Sequence, residues 1–109
     1  LHMDEKDIIE TLRQFVNERD WDQFHTLENL SKSVSIEAAE LLEQFQWQQE
    51  PDLNAITDEI ADVLTYSYLL CMKLEVSPTT IVAQKLLKTE QKYPINLSKG
   101  TSKKYTKRN

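Results

Sequence analysis

Glycine and proline are scarce in this chain, which has one glycine and three prolines among 109 residues. Folds made of many short strands need these residues at frequent turns, and no segment alternates apolar and polar residues with a period of two. Apolar residues recur at helical spacing instead. The composition therefore argues against a sheet and predicts an all-α protein, long enough to build one domain with its own core.

Cysteine and long apolar runs are scarce as well. Cys71 is the sole cysteine, so no disulfide framework can form, and its leucine neighbours predict a small buried side chain. No run of ~18 apolar residues is present, and we recognise no signal peptide. We therefore expect a cytoplasmic protein without a membrane partner.

Positive charge is missing from the middle of the chain. Residues 33–72 contain no lysine or arginine but eight carboxylates. These acids are Glu37, Glu40, Glu43, Glu50, Asp52, Asp58, Glu59 and Asp62. Solvated helices usually place opposite charges three or four residues apart, whereas like charges about 4 Å apart repel by ~4 kcal/mol at an effective dielectric near 20. A cluster of these acids would need protons, a cation from elsewhere or a bound metal.

The carboxyl-terminal part has the opposite sign. From Lys85 onward there are eight basic residues and one acid, Glu90. Such a segment is either a solvated tail or a cationic lobe that faces the acidic centre. An acidic metal site beside a basic segment suits a metal-bound nucleotide polyphosphate, whereas the acidic middle would repel a nucleic acid polymer.

Apolar periodicity and capping residues predict four helices. The expected ranges are about 4–18, 27–49, 53–74 and 78–93, with Thr26, Asp52 and Ser77 as N-caps and Pro51 and Pro94 as stops. We predict a four-helix bundle over residues 4–94. Residues 1–3 are interpreted as a cloning remnant and start methionine, and residues 95–109 as an extended basic tail.

Each predicted helix has an apolar stripe that we expect to be buried. On the first helix the stripe is Ile8, Ile9, Leu12, Phe15 and Val16, and on the third it is Leu53, Ile56, Ile60, Val63, Leu64, Tyr68, Cys71 and Leu74. If the second and third helices pack antiparallel through their stripes, residues that border the stripes on the same rotational side lie next to each other.

Two pairs of acids border these stripes, Glu37 with Glu40 and Glu59 with Asp62. In an antiparallel hairpin, residues at equal distances from the turn lie opposite each other, and the two pairs are equidistant from a turn near Pro51. All four carboxylates should therefore meet at one level. Clustered carboxylate oxygens suit magnesium or manganese, so the spacing predicts a metal site.

Other interpretations of the acid pairs stay open. Acids three residues apart also occur by chance on solvated faces, and an acidic patch could belong to a non-catalytic helical module that binds a basic partner. Diiron carboxylate bundles use Glu-x-x-His on two helices, and neither pair contains histidine. Magnesium is therefore favoured over iron.

Four aromatic side chains are candidates for contact with a ligand: Trp21, His25, Trp47 and Tyr66. Tyr66 follows Asp62 by one helical turn, so its hydroxyl can reach a ligand at the acids. Trp21 lies in a short irregular segment, and Trp47 projects away from the stripe of its own helix. An indole can staple two helices or stack on a nucleobase.

Several short motifs occur in a fixed order along the chain. They are Arg19-Asp20-Trp21-x-x-Phe24-His25, Glu37-x-x-Glu40, Phe45-Gln46-Trp47, Asp58-Glu59-x-x-Asp62-Val63-Leu64-x-Tyr66 and Lys92-Tyr93-Pro94. Together they resemble the MazG-like superfamily of all-α nucleoside triphosphate pyrophosphohydrolases, and they look closest to the small branch that includes the dCTP pyrophosphatases. The resemblance covers about residues 8–106.

The resemblance implies hydrolysis of a nucleoside triphosphate between its α and β phosphates, which releases a monophosphate and pyrophosphate. It implies that Mg²⁺, with Mn²⁺ as an alternative, is held by four catalytic acids. The matching positions are Glu37, Glu40, Glu59 and Asp62. A deoxynucleotide such as dCTP is the implied substrate, and nucleotide-pool control is the implied role. Relatives assemble as homodimers or homotetramers, so we expect the same here.

The resemblance also places the remaining candidates. Trp21, His25 and Trp47 would surround the base, and Tyr66 would lie near the sugar or phosphates. The branch often has an asparagine on the fourth helix that contacts the ligand, and Thr89 occupies that position here. We therefore suggest Lys85 or Lys88 for phosphate contact.

Overall fold

The computed structural model describes residues 1–47 and 50–101. Its elements are α1 (Glu5–Glu18), a 3₁₀ turn (Asp22–Phe24), α2 (Leu27–Glu43), α3 (Leu53–Leu74), α4 (Pro78–Lys92) and the short α5 (Ile95–Ser98). No strand is found within these residues, which confirms the predicted all-α class. In the same part of the chain, no helix has the length and apolar character needed to cross a membrane.

The chain forms two compact units, Leu1–Val76 and Ser77–Asn109. The first contains α1, the 3₁₀ turn, α2 and α3, and the second contains α4 and α5. Within the first unit, α2 and α3 pack against each other and α1 also contacts α3. The single domain over residues 4–94 stays a prediction.

The helices begin where the sequence places a capping side chain. The Thr26 hydroxyl accepts the Asn29 N–H at 3.0 Å, and an Asp52 carboxylate oxygen accepts the N–H groups of the second and third residues of α3. The Ser77 hydroxyl opens α4 ahead of Pro78 in the same way. Each side chain satisfies a backbone N–H that has no partner inside the helix, so all three predicted N-caps are confirmed.

The predicted end of α2 near residue 49 is wrong, because the helix ends at Glu43. Beyond it, the N–H groups of Gln44, Phe45 and Gln46 donate to the carbonyls of Leu41, Leu42 and Glu43. Bonds to the third preceding residue wind the chain more tightly than an α-helix does. The helix therefore stops before Pro51 can end it, while residues 48 and 49 lie outside the described part.

The core of the first unit contains one residue from each helix: Val16 of α1, Leu30 of α2 and Leu69 of α3. Leu30 is only 1% exposed. Cys71 is buried as predicted. Several predicted stripe residues of α1 and α3 are exposed instead, namely Phe15, Leu53, Ile60, Leu64 and Leu74. Periodicity identified an apolar face on each helix, but α1 and α2 cover only part of the long face of α3.

The segment after Pro94 begins as a helix rather than as the expected extended tail. Ile95–Ser98 forms one short helical turn, in which the Leu97 N–H donates to the Pro94 carbonyl at 3.0 Å and the Lys99 N–H to the Ile95 carbonyl at 3.1 Å. Proline suits a helix start because its own N–H is absent. The rest of the predicted tail, residues 102–109, lies outside the described residues.

Candidate active site

Three of the four predicted acids meet across the interface between α2 and α3. One carboxylate oxygen each from Glu37, Glu40 and Glu59 lies within 4.8 Å of the other two. All three side chains are half-buried. The early end of α2 leaves this arrangement intact, because the acids lie inside the two helices and not in the segment that joins them.

The fourth acid, Asp62, is exposed and lies outside this cluster of three oxygens. It is close nonetheless, since its charge contributes to raising the pKa of both Glu37 and Glu59. Asp62 follows Glu59 by three residues on α3, so the two share one side of the helix. The structure therefore places Asp62 at the open edge of the cluster.

Proton affinity in the cluster is high. Hydrogen bonding with Glu40, burial, and the charges of Glu40 and Asp62 together raise the pKa of Glu37 to about 7. Burial, followed by the charge of Glu40, raises the pKa of Glu59. Within residues 1–47 and 50–101, none of the four acids forms an ion pair with a lysine or arginine. Among these described residues, no basic side chain therefore compensates the negative charge of the cluster.

Two oxygens in the cluster lack any hydrogen-bond partner among the described residues. These are Glu37 Oε2 and Glu59 Oε2, and both are buried. A buried polar atom without a partner is costly, and a carboxylate oxygen accepts either a proton or a metal ion. Hard divalent cations such as Mg²⁺ and Mn²⁺ prefer oxygen ligands. The residues present therefore fit such an ion.

A cavity of about 300 Å³ opens beside the same face of α3. Its lining comes from α1, the turn and α3: Leu12, Phe15, Val16, Trp21, His25, Thr65, Tyr66 and Leu69. Most of these groups are apolar or aromatic, with His25, Thr65 and Tyr66 as the polar ones. A mainly apolar cavity with a few polar groups is typical of a small-molecule site.

An aromatic pair forms one wall of this cavity. The rings of Phe15 and Trp21 meet edge to face, with centroids 5.6 Å apart. The Arg19 guanidinium lies 3.6 Å from the Phe15 ring centroid, and it donates to the Phe15 carbonyl at 3.0 Å. These contacts keep the Trp21 indole at the cavity although the side chain is 44% exposed.

The structure brings some of the predicted ligand-binding residues together and not others. Trp21, His25 and Tyr66 line the cavity. Trp47 is 86% exposed and is not part of that lining. Lys85 and Lys88 are exposed on α4 in the second unit, and their contact with phosphate stays a prediction.

Sequence reasoning missed several cavity residues. Leu12 and Phe15 were expected only in the core, and Thr65 and Leu69 were not assigned to any site. The usable signal was the helical spacing of Thr65 and Leu69 around Tyr66, which places all three on one face of α3. Which neighbour covers that face depends on how α1 and the turn pack, and periodicity contains no such information.

Comparison with known proteins identifies the family of this chain. The profile of the MazG-like family matches residues 32–107. The chain belongs to the MazG-like family. A pyrophosphatase from Archaeoglobus fulgidus DSM 4304, solved by crystallography, is similar in structure with a TM-score of 0.77 and 40% sequence identity. That match covers 86% of this MazG-like chain and 95% of the other.

Two curated relatives of this MazG-like chain are named dCTP pyrophosphatase 1. The rat protein, from Rattus norvegicus, is 35% identical, and the match covers 93% of this chain. The human protein, from Homo sapiens, is 32% identical over the same share of the chain. This chain spans about 65% of the length of both relatives.

Proposed function

We propose that this chain is a Mg²⁺-dependent nucleoside triphosphate pyrophosphohydrolase that cleaves between the α and β phosphates. One observation carries the proposal: the acids and the cavity occupy a single face of α3. Glu59, Asp62, Tyr66 and Leu69 follow one another at intervals of three or four residues, and Tyr66 is about 10 Å along the helix from Glu59. A nucleotide lying along this face would place its base in the cavity beside Trp21 and His25, its sugar near Tyr66 and its phosphates at the acids.

Glu37, Glu40 and Glu59, with Asp62 at their edge, would hold the cation. A bound divalent ion would neutralise phosphate charge and lower the pKa of a water molecule for attack on phosphorus. The contribution of the chain is to fix the acids before substrate arrives. Because α2 supplies two of them and α3 the others, their spacing follows from helix packing and not from a mobile loop.

The cavity supports an aromatic ligand. Trp21 and Phe15 offer an aromatic wall, and stacking on a base is worth ~1 to 3 kcal/mol. His25, Thr65 and Tyr66 supply polar groups that can select among bases and sugars. Since the rat and human relatives are named dCTP pyrophosphatase 1, we propose a deoxynucleotide such as dCTP as the preferred substrate. Nucleotide-pool control in the cytoplasm would be the corresponding role.

Release of pyrophosphate from a panel of ribo- and deoxyribonucleoside triphosphates, with and without Mg²⁺, tests the proposal. We expect Mg²⁺-dependent release of a monophosphate and pyrophosphate. Glu40→Gln and Glu59→Gln should each lower kcat by at least about 100-fold, because each removes a charge from the site. Asp58→Asn alters an exposed neighbour of Glu59 and should leave kcat within twofold.

Two results would contradict the proposed function. An acidic module that only binds a basic partner would release no pyrophosphate from any nucleotide. Full activity of Glu40→Gln or Glu59→Gln would show that hydrolysis occurs without the acid cluster. Circular dichroism of each variant checks that the helices are retained.

We also propose that the chain assembles as a homodimer or homotetramer. The carboxyl-terminal end of α2 and the residues after it expose large apolar side chains, with Leu42 at 72%, Phe45 at 53% and Trp47 at 86%. Leu42 and Phe45 line one surface depression, and an exposed apolar patch marks an interaction site. A role for Trp47 at the base would then depend on assembly, because Trp47 does not line the cavity within one chain.

A further inference from the structure

One ion pair connects the 3₁₀ turn to the far end of α3. Lys73 Nζ lies 2.8 Å from Asp22 Oδ1. Two other ion pairs, Arg19–Glu18 and Lys32–Glu28, join residues one and four positions apart on the surface. The Lys73–Asp22 pair instead bridges two elements that are distant in the chain, so it constrains their relative position.

The two residues that flank this turn both line the proposed base cavity. Trp21 immediately precedes Asp22, and His25 follows it by three residues; both line the cavity. Backbone bonds already fix the shape of the turn, since the Trp21 N–H donates to the Val16 carbonyl and the His25 N–H to the Asp22 carbonyl. These bonds lie within the turn or run to α1. They do not set the distance from the turn to α3.

Little else fills the space between the turn and the end of α3. A second cavity of about 230 Å³ lies there, lined by residues that include Asp22, His25, Leu69, Met72 and Lys73. Packing is therefore incomplete on this side of His25, and the Lys73 side chain spans the opening. A contact across an incompletely packed gap has more influence on position than one that duplicates tight packing.

We propose that Lys73 is a positioning residue that acts through Asp22 to hold Trp21 and His25 against the Tyr66 face of α3. Lys73 does not line the proposed base cavity, and its ion pair is with Asp22 and not with the acid cluster. The inference rests on the proposed function, because the cavity must receive the base for the position of its walls to affect catalysis. It predicts an effect on KM and little effect on kcat, since the carboxylate cluster on α2 and α3 is left unchanged.

Steady-state pyrophosphate release by Lys73→Met and Asp22→Asn tests this role. Each variant should raise KM by about two- to fivefold, the size expected for an ion pair that is partly open to water, while kcat stays within twofold. The double variant should raise KM no more than either single substitution does. Lys73→Arg keeps the charge and should restore the wild-type KM. Lys32→Met breaks a surface pair elsewhere and should leave KM unchanged.

Fluorescence provides a readout that does not need turnover. In a Trp47→Phe background, used only for its signal, Trp21 is the sole tryptophan. Lys73→Met and Asp22→Asn should increase quenching of Trp21 by acrylamide, whereas Lys32→Met should not. Lys73 is also in the last turn of α3, where a cation stabilises the helix end. Asp22→Asn separates the two effects, because it breaks the pair and leaves that cation in place.

The outcomes distinguish this inference from the proposed function. Absence of turnover in the wild-type chain would contradict the enzyme assignment, and the quenching data would still report whether Lys73 holds the turn. An active wild-type chain with unchanged KM and unchanged quenching in both variants would overturn the positioning role. A fall in kcat at constant KM would also overturn it, because that pattern would place Lys73 at the reacting phosphates.

Discussion

Glu37 on α2 and Glu59 on α3 each have a buried carboxylate oxygen without a hydrogen-bond partner in the described part of the chain, and both carboxylates belong to one cluster with Glu40. A helix pair selected only for stability would place apolar or paired side chains at these positions. Without a bound cation, this arrangement destabilises the folded state. Stability and cation binding should therefore be linked through the same atoms.

The first prediction concerns pH in the absence of metal. In the folded chain the pKa of Glu37 is raised from its ordinary value of 4.5 to about 7, so Glu37 keeps its proton at a higher pH than in the unfolded chain. The stability contributed by this group is fully present below about pH 4.5 and is lost as the pH rises through about 7. The pKa of Glu59 is shifted in the same direction. The thermal midpoint, measured in EDTA by circular dichroism, should therefore decrease as the pH is raised from 5 to 8.

Glu37→Gln isolates this effect from the general repulsion of a chain with a formal net charge of −5. The variant cannot lose a proton at position 37, so its thermal midpoint should depend less steeply on pH. Asp58→Asn removes one negative charge outside the cluster and should retain the wild-type slope. Identical slopes for Glu37→Gln and the wild-type chain would contradict the raised pKa as the cause.

The second prediction concerns added Mg²⁺. Binding to the folded state alone contributes about 2.7 kcal/mol when the ligand is at 100 times its Kd, which raises Tm by roughly 10 °C for a domain of this size. The rise should be larger at pH 8 than at pH 5.5, because protons compete for the same carboxylates. Glu59→Gln should lose most of the rise, and Asp58→Asn should keep it. Equal rises in the two variants would argue against this site.

Local chemistry made much of the fold predictable. The three N-caps and the limits of α3 follow from side chains that act on their own backbone, within a few residues. The end of α2 was not predictable in this way. The tightened turn at residues 44–46 competes with helix continuation, and the choice between them depends on tertiary packing that a residue pattern does not contain.

The acid cluster was predictable because two quantities follow from residue numbers alone. They are the side of the helix on which a residue lies and its distance from the connection between α2 and α3. Those two quantities predict that Glu37, Glu40 and Glu59 lie close together without any knowledge of their side-chain conformations. The cavity required more, since its wall depends on Arg19 stacking on Phe15 and on the Lys73–Asp22 pair. Both contacts depend on side-chain conformation, and neither gives a periodic signal.

The third prediction concerns the aromatic wall. Trp21→Ala should raise KM for the nucleotide about 5- to 140-fold, because base stacking is worth ~1 to 3 kcal/mol and every 1.4 kcal/mol corresponds to tenfold in affinity. Phe24→Ala is the matched control: Phe24 is an aromatic residue of the same turn, is 60% exposed and does not line the cavity. Steady-state kinetics of Trp21→Ala and Phe24→Ala measures the two values of KM, and we expect a large increase only in Trp21→Ala. Equal effects would mean that the turn as a whole, and not the indole, supports binding.

The fourth prediction concerns assembly. Leu42 is 72% exposed and lines a surface depression together with Phe45, and burial of one leucine side chain is worth about 1.5 to 3 kcal/mol. If a second copy covers this surface, Leu42→Glu should weaken association by at least about tenfold, because it replaces that gain with a charge that must be desolvated. Sedimentation equilibrium of the wild-type and variant chains measures the change.

Ser35→Glu adds the same charge at an exposed polar position of α2 and should leave the assembly state unchanged. In a Trp21→Phe background Trp47 is the sole tryptophan and gives an independent signal, because its emission should shift to shorter wavelength when a second copy covers it and return toward that of exposed indole in Leu42→Glu. A wild-type chain that is monomeric at micromolar concentration, with Trp47 emission typical of full exposure, would contradict the proposed assembly. The apolar surface at the end of α2 would then have to serve a different partner.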